Sequence, residues 1–250
     1  MKKEIDWLLK EKYNGVQSDA FFSDCKRLAK GEPLAYVIGH IPFLDCTIFL
    51  DSHPLIPRPE TEYWTEKFIT TTKHGSSKKR ILDLCAGSGC IGVAVARSSA
   101  SFEVIFSELE IGHLQTIKSN LQKNVPTYKQ EPSRYQIYQS DLFEKIQGKF
   151  DHILTNPPYI DPSLDRTNLS VRRYEPALAL YGGEKGVHYL KQIIMTAPSF
   201  LVPGGTLWIE HEPEQVATII ELVNASEFAK CETHNDQYQT PRFTVCSMAL

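Results

Sequence analysis

From residue 79 onward the hydrophobic positions fall into two alternating patterns. Short apolar, β-branched runs at 80–85, 103–107, 135–139, 150–155 and 206–210 read as strands, followed by two closing strands at 229–234 and 242–248. Between them, 90–98, 111–123, 187–199 and 214–224 place apolar residues at helical spacing. Strands that alternate with helices predict an α/β fold with a parallel, doubly wound sheet. Upstream the pattern differs. Ile5, Leu8 and Leu9, then Phe21, Phe22, Cys25 and Leu28, mark helices over 4–13 and 19–30, with Gly31 and Pro33 closing the second. Two short helices cannot bury a core alone, so this arm must dock on something. The stretch 36–50 alternates loosely about a turn candidate at 43–45 and predicts a hairpin. Two prolines around Arg58 make a stiff entry into a helix over 60–71, whose first turn is acidic as the helix dipole favours. The expected units are a small helical N-terminal domain (1–35), a hairpin connector (36–55) and a main domain (56–250). By composition the flexible join is expected at 76–79, and the charged loop 161–186 is expected to cover the site.

Composition narrows the class. With 250 residues, 42% hydrophobic, the chain can bury one sizeable α/β domain and a small accessory piece. Its net charge of −3 argues against nucleic acid as the main partner. The six cysteines show no CxxC or zinc spacing, so buried, reduced thiols and no metal are expected. Neither a signal-type leader nor an apolar stretch of membrane length stands out, which predicts a cytoplasmic protein without membrane partners, expected as a monomer.

The first strand runs into Gly87-Ser88-Gly89-Cys90-Ile91-Gly92, which matches the dinucleotide fingerprint GxGxxG, with Glu108 ending the next strand. A nicotinamide enzyme is therefore one reading. S-adenosylmethionine is the other, and three features favour it. Asp83, inside the end of the first strand, suits an ammonium and would repel a pyrophosphate. Asp141 ends the third strand, placed with Leu142 for an adenine. The motif after the fourth strand has no role in hydride transfer. Helix N-terminal amides would take the donor's carboxylate and Glu108 its ribose.

That motif is Asn156-Pro157-Pro158-Tyr159, at a strand's carboxyl end where open α/β sheets bind ligands. The prolines hold the backbone extended and leave carbonyls free. Asn156 adds an amide oxygen, and Tyr159 an aromatic face able to meet a sulfonium. Such a clamp fits an sp² –NH2 group. Its two hydrogens are held by the Asn156 oxygen and the Pro157 carbonyl, which stabilise charge growing on the nitrogen as it is alkylated. An amide and an aminopurine both qualify, so an N(6)-adenine nucleic-acid methyltransferase stands as the alternative.

Six motifs resemble one family in combination: GEPLAYVIGH at 31–40, IPRPETE at 56–62, DLCAGSGCIG at 83–92, SDLF at 140–143, NPPYI at 156–160 and RRYEPALALYGGEKG at 172–186. Together they resemble the HemK/PrmC-type protein-(glutamine-N(5)) methyltransferases, which act on the GGQ glutamine of bacterial class 1 peptide chain release factors. The resemblance implies a class I S-adenosylmethionine-dependent, Rossmann-like fold. Its sheet would have seven strands, the last antiparallel, and its small N-terminal helical domain would help dock the release factor. It implies that Cys85, Ala86, Gly87, Ser88, Gly89, Glu108, Leu142 and Asn156 touch the cofactor, whose product is S-adenosylhomocysteine. It also implies that Asn156 to Tyr159 hold the glutamine. The chain departs from the family's pattern in having Glu108 for Asp, a shorter helical arm, His211-Glu212 after the fifth strand, and no Gly-Arg ending.

Overall fold

The computed structural model describes residues 2–72, 77–164 and 166–250. Three helices come first: α1 (Lys2–Glu11), α2 (Asp19–Ala29) and α3 (Leu34–Ile38). Ser18 caps α2, its hydroxyl accepting from the Phe21 amide. Leu8, Phe21, Leu28 and Val37 form a core shared by the three helices alone. The arm therefore owns a small core, because α3 supplies the missing side. That helix takes residues expected to open the hairpin connector: Pro33 stands just before it, where a missing N–H is harmless, and does not end the preceding structure.

The hairpin follows as β1 (His40–Phe43) and β2 (Cys46–Phe49), antiparallel around Leu44-Asp45. The outer edge of β2 is covered by side chains. Next come α4 (Pro59–Thr72), β3 (Lys79–Leu84), α5 (Cys90–Ser98), β4 (Phe102–Glu108) and α6 (Ile111–Asn124). Asn124 on α6 accepts from Thr47 N (2.9 Å) and donates to Thr47 O (2.9 Å). One turn earlier, Asn120 does the same for Phe49 (2.8 and 3.0 Å) and also donates to Ser88 O (3.0 Å). Two amides on one helix face thus replace a neighbouring strand and satisfy an edge otherwise open to pairing.

The remaining elements are β5 (Tyr135–Gln139), β6 (Phe150–Thr155), α7 (Leu169–Tyr174), α8 (Ala177–Leu180), α9 (His188–Thr196), β7 (Leu201–Glu210), α10 (Val216–Asn224), β8 (Lys230–Asn235) and β9 (Pro241–Ser247). Seven strands form one sheet in the order β5-β4-β3-β6-β7-β9-β8, parallel except for β9. This is the expected doubly wound α/β arrangement. Helices α4 to α6 cover one face over Trp64, Phe68, Val93, Val95 and Ile117. Helices α9 and α10 cover the other over Leu190, Ile193, Ile194 and Ile219. The expected join at 76–79 begins at Ser76, outside the described residues; Lys79 already opens β3.

The register places the chemistry at one edge. Leu84 pairs with both Ser107 and Thr155, and Glu108 with Gln139, so β3, β4, β5 and β6 end nearly level. Cys85, Glu108, Ser140 to Leu142, and Asn156 thereby follow one another along a single rim.

Candidate active site

The rim opens into a cavity. Cys85 and Gly87 from the glycine turn, Glu108, Asp141 and Leu142 from the next two strand ends, and Asn156 and Pro158 from the fourth line it. The opposite wall is Leu55, Pro176, Leu178 and Ala179, with Tyr189 of α9 and His113 of α6 closing the ends. Asp83, Ala86, Ser88, Gly89, Pro157 and Tyr159 are not on this wall. Of the sequence candidates, seven thus share the cavity and six stand behind or beside it.

The turn is held rigidly. Glu108 is 7% exposed and accepts from Gly87 N (2.7 Å) through Oε2 and from Glu110 N (2.8 Å) through Oε1. Each oxygen keeps a lone pair for a hydroxyl on the cavity side. The longer glutamate is therefore no obstacle where the family's pattern has aspartate: its reach lets it clasp the glycine turn. Cys85 (φ 59°) and Leu142 (φ 43°) adopt left-handed backbone, rare for side chains of this kind, and both sit on the wall. Cys85 is half-buried, and burial pushes its thiol well up, so it stays protonated. The six cysteines are all free thiols, though only Cys46, Cys90 and Cys246 are buried.

Asp83 takes a different place from the one expected of it. It is fully buried, its Oδ2 accepts from Gly92 N (2.8 Å), and its Oδ1 has no partner. Burial raises its carboxyl well above the ordinary range. A Cβ on Gly92 would stand 2.3 Å from the Phe106 ring and 2.8 Å from Asp83 Oδ2, so only glycine lets α5 approach the sheet this closely. Asp83 thus anchors the start of α5 beneath the turn.

Asn156 lies half-buried on the wall, its Nδ2 donating to Thr61 Oγ1 (3.1 Å). Among the described residues no hydrogen bond goes to the Pro157 carbonyl. Tyr159 turns its hydroxyl inward to Glu210 Oε1 (2.8 Å), and its carbonyl accepts from Gln215 Nε2 (2.7 Å). Tyr159 lines a separate hollow with Ile160, Lys185 and Glu212. The aromatic face is therefore beside the clamp, and the inward hydroxyl is why: Glu210 holds it. Burial beside that carboxyl raises the Tyr159 phenol well above its usual value.

The loop 161–186 carries α7 and α8; Asp165 within it lies outside the described residues. Glu175, 5% exposed, ties the loop down by accepting from Ile56 N (3.0 Å) and Arg58 Nη2 (2.7 Å). Arg58 and Glu175 therefore join two of the motifs, whereas Arg173 is exposed over the Tyr174 ring. Leu55, Pro176, Leu178 and Tyr189 of the wall carry no signal of that role. In the sequence they are ordinary apolar residues of a connector, a loop and a helix.

Comparison with known proteins fits this geometry. Residues 63–175 match the methyltransferase small domain. A release factor glutamine methyltransferase from Geobacter sulfurreducens is 32% identical over 212 residues, covering 84% of this chain and 71% of the relative. The chain belongs to this family. Its fold recurs in a Pyrococcus furiosus methyltransferase (TM-score 0.58, 14% identity, covering 91% of this chain and 99% of that one). It recurs also in a Thermus thermophilus 16S rRNA methyltransferase solved with AdoMet and guanosine (TM-score 0.54, 18% identity, covering 77% and 43%). Family membership sets aside the nicotinamide reading of the glycine turn, and the adenine alternative is not favoured. No described helix is long and apolar enough to cross a membrane, and no described cluster of His, Cys, Asp or Glu could hold a metal ion.

Proposed function

We propose that the chain transfers a methyl group from S-adenosylmethionine to the side-chain amide nitrogen of the GGQ glutamine in bacterial class 1 release factors. The observation that carries this is the placement of Asn156 and Pro158 on the same wall as Glu108 and Gly87. An acceptor corner for an –NH2 group thereby faces a nucleoside-sized set of strand ends. The residues present fit the donor: two Glu108 oxygens for ribose hydroxyls, Leu142 and the exposed Asp141 for the adenine, and the α5 end of the glycine turn for a carboxylate. Asp83, buried behind the turn, supports that arrangement from beneath. When bound, S-adenosylmethionine supplies an electrophilic methyl on a positively charged sulfur.

The chain's own residues do the positioning. Asn156 Oδ1 accepts one hydrogen of the glutamine amide and the Pro157 carbonyl the other, so the nitrogen's lone pair is aimed into the cavity. Charge that develops on that nitrogen meets two fixed acceptors, and no side-chain base is required for attack. Leu55, Pro176 and Leu178 form an apolar wall that excludes water from the corner. Helices α1 to α3 serve in docking the release factor.

Incubating a purified release factor with the enzyme and donor is expected to add about 14 mass units, one hydrogen replaced by CH3, to the GGQ peptide. Label on adenine of an oligonucleotide instead would overturn the reading. Asn156→Ala is expected to lower kcat by about 100-fold, as loss of one preorganised group does, with donor binding kept.

A further inference from the structure

Behind the clamp lies a buried carboxylate that no sequence motif announced. Glu210, at the end of β7, is 0% exposed. Its Oε2 accepts from Thr61 Oγ1 (2.7 Å) and Trp64 Nε1 (2.7 Å), and its Oε1 from Tyr159 Oη (2.8 Å). Thr61 is the threonine of the 56–62 motif and is itself 1% exposed. The indole N–H can only donate, and the Thr61 hydroxyl donates to the same Oε2, so that oxygen accepts twice. The single Thr61 proton is thereby committed to Glu210, and what the hydroxyl shows to its other neighbour is a lone pair. That neighbour is Asn156, whose Nδ2 donates to it at 3.1 Å.

We propose that Thr61, with its hydroxyl oriented by Glu210, is a positioning residue that fixes which way round the Asn156 amide stands. An asparagine amide is nearly symmetric in shape, and either end could face the cavity. With the oxygen outward it accepts from a substrate –NH2. With the nitrogen outward it would set donor against donor, and no amide would be held. The flipped state would also point Oδ1 at a hydroxyl oxygen whose proton is taken, two acceptors face to face. The chain Trp64 to Glu210 to Thr61 to Asn156 therefore converts a buried acceptor into a defined polarity at the surface of the clamp. The inference rests on the reading of Asn156 as the group that takes the glutamine amide.

The test separates the hydroxyl from the methyl of Thr61. Thr61→Val keeps the shape and loses the hydroxyl; Thr61→Ser keeps the hydroxyl and loses the methyl. With a purified release factor as substrate, Thr61→Val is expected to lower kcat by about tenfold or more, a typical effect of losing orientation at a reacting group. Calorimetric affinity for S-adenosylhomocysteine is expected to stay within about twofold, since Thr61 is not on the cavity wall and acts only on the group that takes the reacting nitrogen. Thr61→Ser is expected to restore most of kcat. The opposite order, valine active and serine impaired, means that Thr61 only fills space and overturns the proposal, as do two variants both at wild-type kcat. Thr61→Ala against Thr61→Ser differ by the hydroxyl and carry the same test should the valine variant melt early. Full activity of Asn156→Ala would remove the underlying reading itself. Activity lost in Asn156→Ala but kept in Thr61→Val would remove this inference alone.

Discussion

His211 is a fully buried imidazole one residue beyond Glu210. It shares Nδ1 with the Glu212 carbonyl (2.9 Å) and Nε2 with Thr244 Oγ1 (2.9 Å). Those partners suit the neutral ring with its proton on Nδ1. Burial lowers its pKa to about 4, partly opposed by the Glu212 carbonyl and aided by Arg242. The unfolded chain takes up this proton near pH 6.5 and the folded chain only near 4, so the stability tied to His211 is whole above about pH 6.5 and is lost as pH falls toward 4. Buried carboxyls such as Asp83 and Glu210, whose pKa values are raised, work in the opposite direction, so a bare pH curve mixes the two. The difference between wild type and His211→Gln isolates the histidine. In urea titrations over this range, wild type is expected to lose about 1.4 kcal/mol per pH unit relative to the variant. Parallel curves would mean that the ring titrates normally. At this scale the sequence showed Asn156, Glu108 and the glycine turn, because each belongs to a contiguous motif at a strand end. It did not show Glu210. A lone glutamate ending a strand carries no sign that donors from positions 61, 64 and 159 will converge on it.

Elements were legible where period and punctuation agreed, and failed where one residue had two meanings. Strands β3, β4 and β6 fall close to their expected spans because buried parallel strands write apolar runs, and β5, at the sheet edge, is marked by alternation instead. Pro33 carries the signal of a stop and is a start. Strand β7 begins at Leu201, not 206, because Pro203-Gly204-Gly205 looks like a turn; the structure absorbs it as an irregularity, Phe150 pairing with Leu201 and His152 with Thr206. The link between hairpin and glycine turn was invisible, since Asn120 and Asn124 read as polar residues on a helix. Asn120 is fully buried and closes three hydrogen bonds, to Phe49 N, Phe49 O and Ser88 O. Asn120→Ala leaves those backbone groups without partners, each a cost of about 1–3 kcal/mol when water cannot reach it. The expected result is a loss of roughly 3 kcal/mol in denaturant unfolding together with weaker S-adenosylhomocysteine binding, because Ser88 belongs to the turn. Stability lost with ligand affinity untouched would show that the hairpin and the turn are not coupled through this side chain.

At the scale of the whole molecule the buried residues gather in three clusters. Leu8, Phe21, Leu28 and Val37 make a core distinct from the two that flank the sheet. The arm joins the rest through α3: Tyr36 is a buried member of the core on the hairpin side of the sheet, with Ala35 packed against it, and its Oη donates to Pro54 O (2.6 Å), whereas at the end of α2 the Lys30 carbonyl accepts from Tyr174 Oη (3.1 Å). The arm also shows large apolar side chains to solvent, Trp7 at 65%, Val16 at 63% and Phe22 at 50%. Exposed aromatic surface on a unit with its own core suits a partner surface better than support of the catalytic sheet. Removing residues 1–29, which leaves α3 and the buried Tyr36 in place, is therefore expected to leave S-adenosylhomocysteine affinity within about twofold. It is expected to raise KM for an intact release factor by about tenfold or more, the loss of a docking contact worth roughly 1.4 kcal/mol at least. A short peptide bearing GGQ reaches only the cavity, so its kcat/KM is expected to be unchanged by the truncation. That contrast decides between two roles for the arm. Should peptide and intact factor lose activity together, the helices would be holding the site in shape; should neither lose it, they would take no part in recognition.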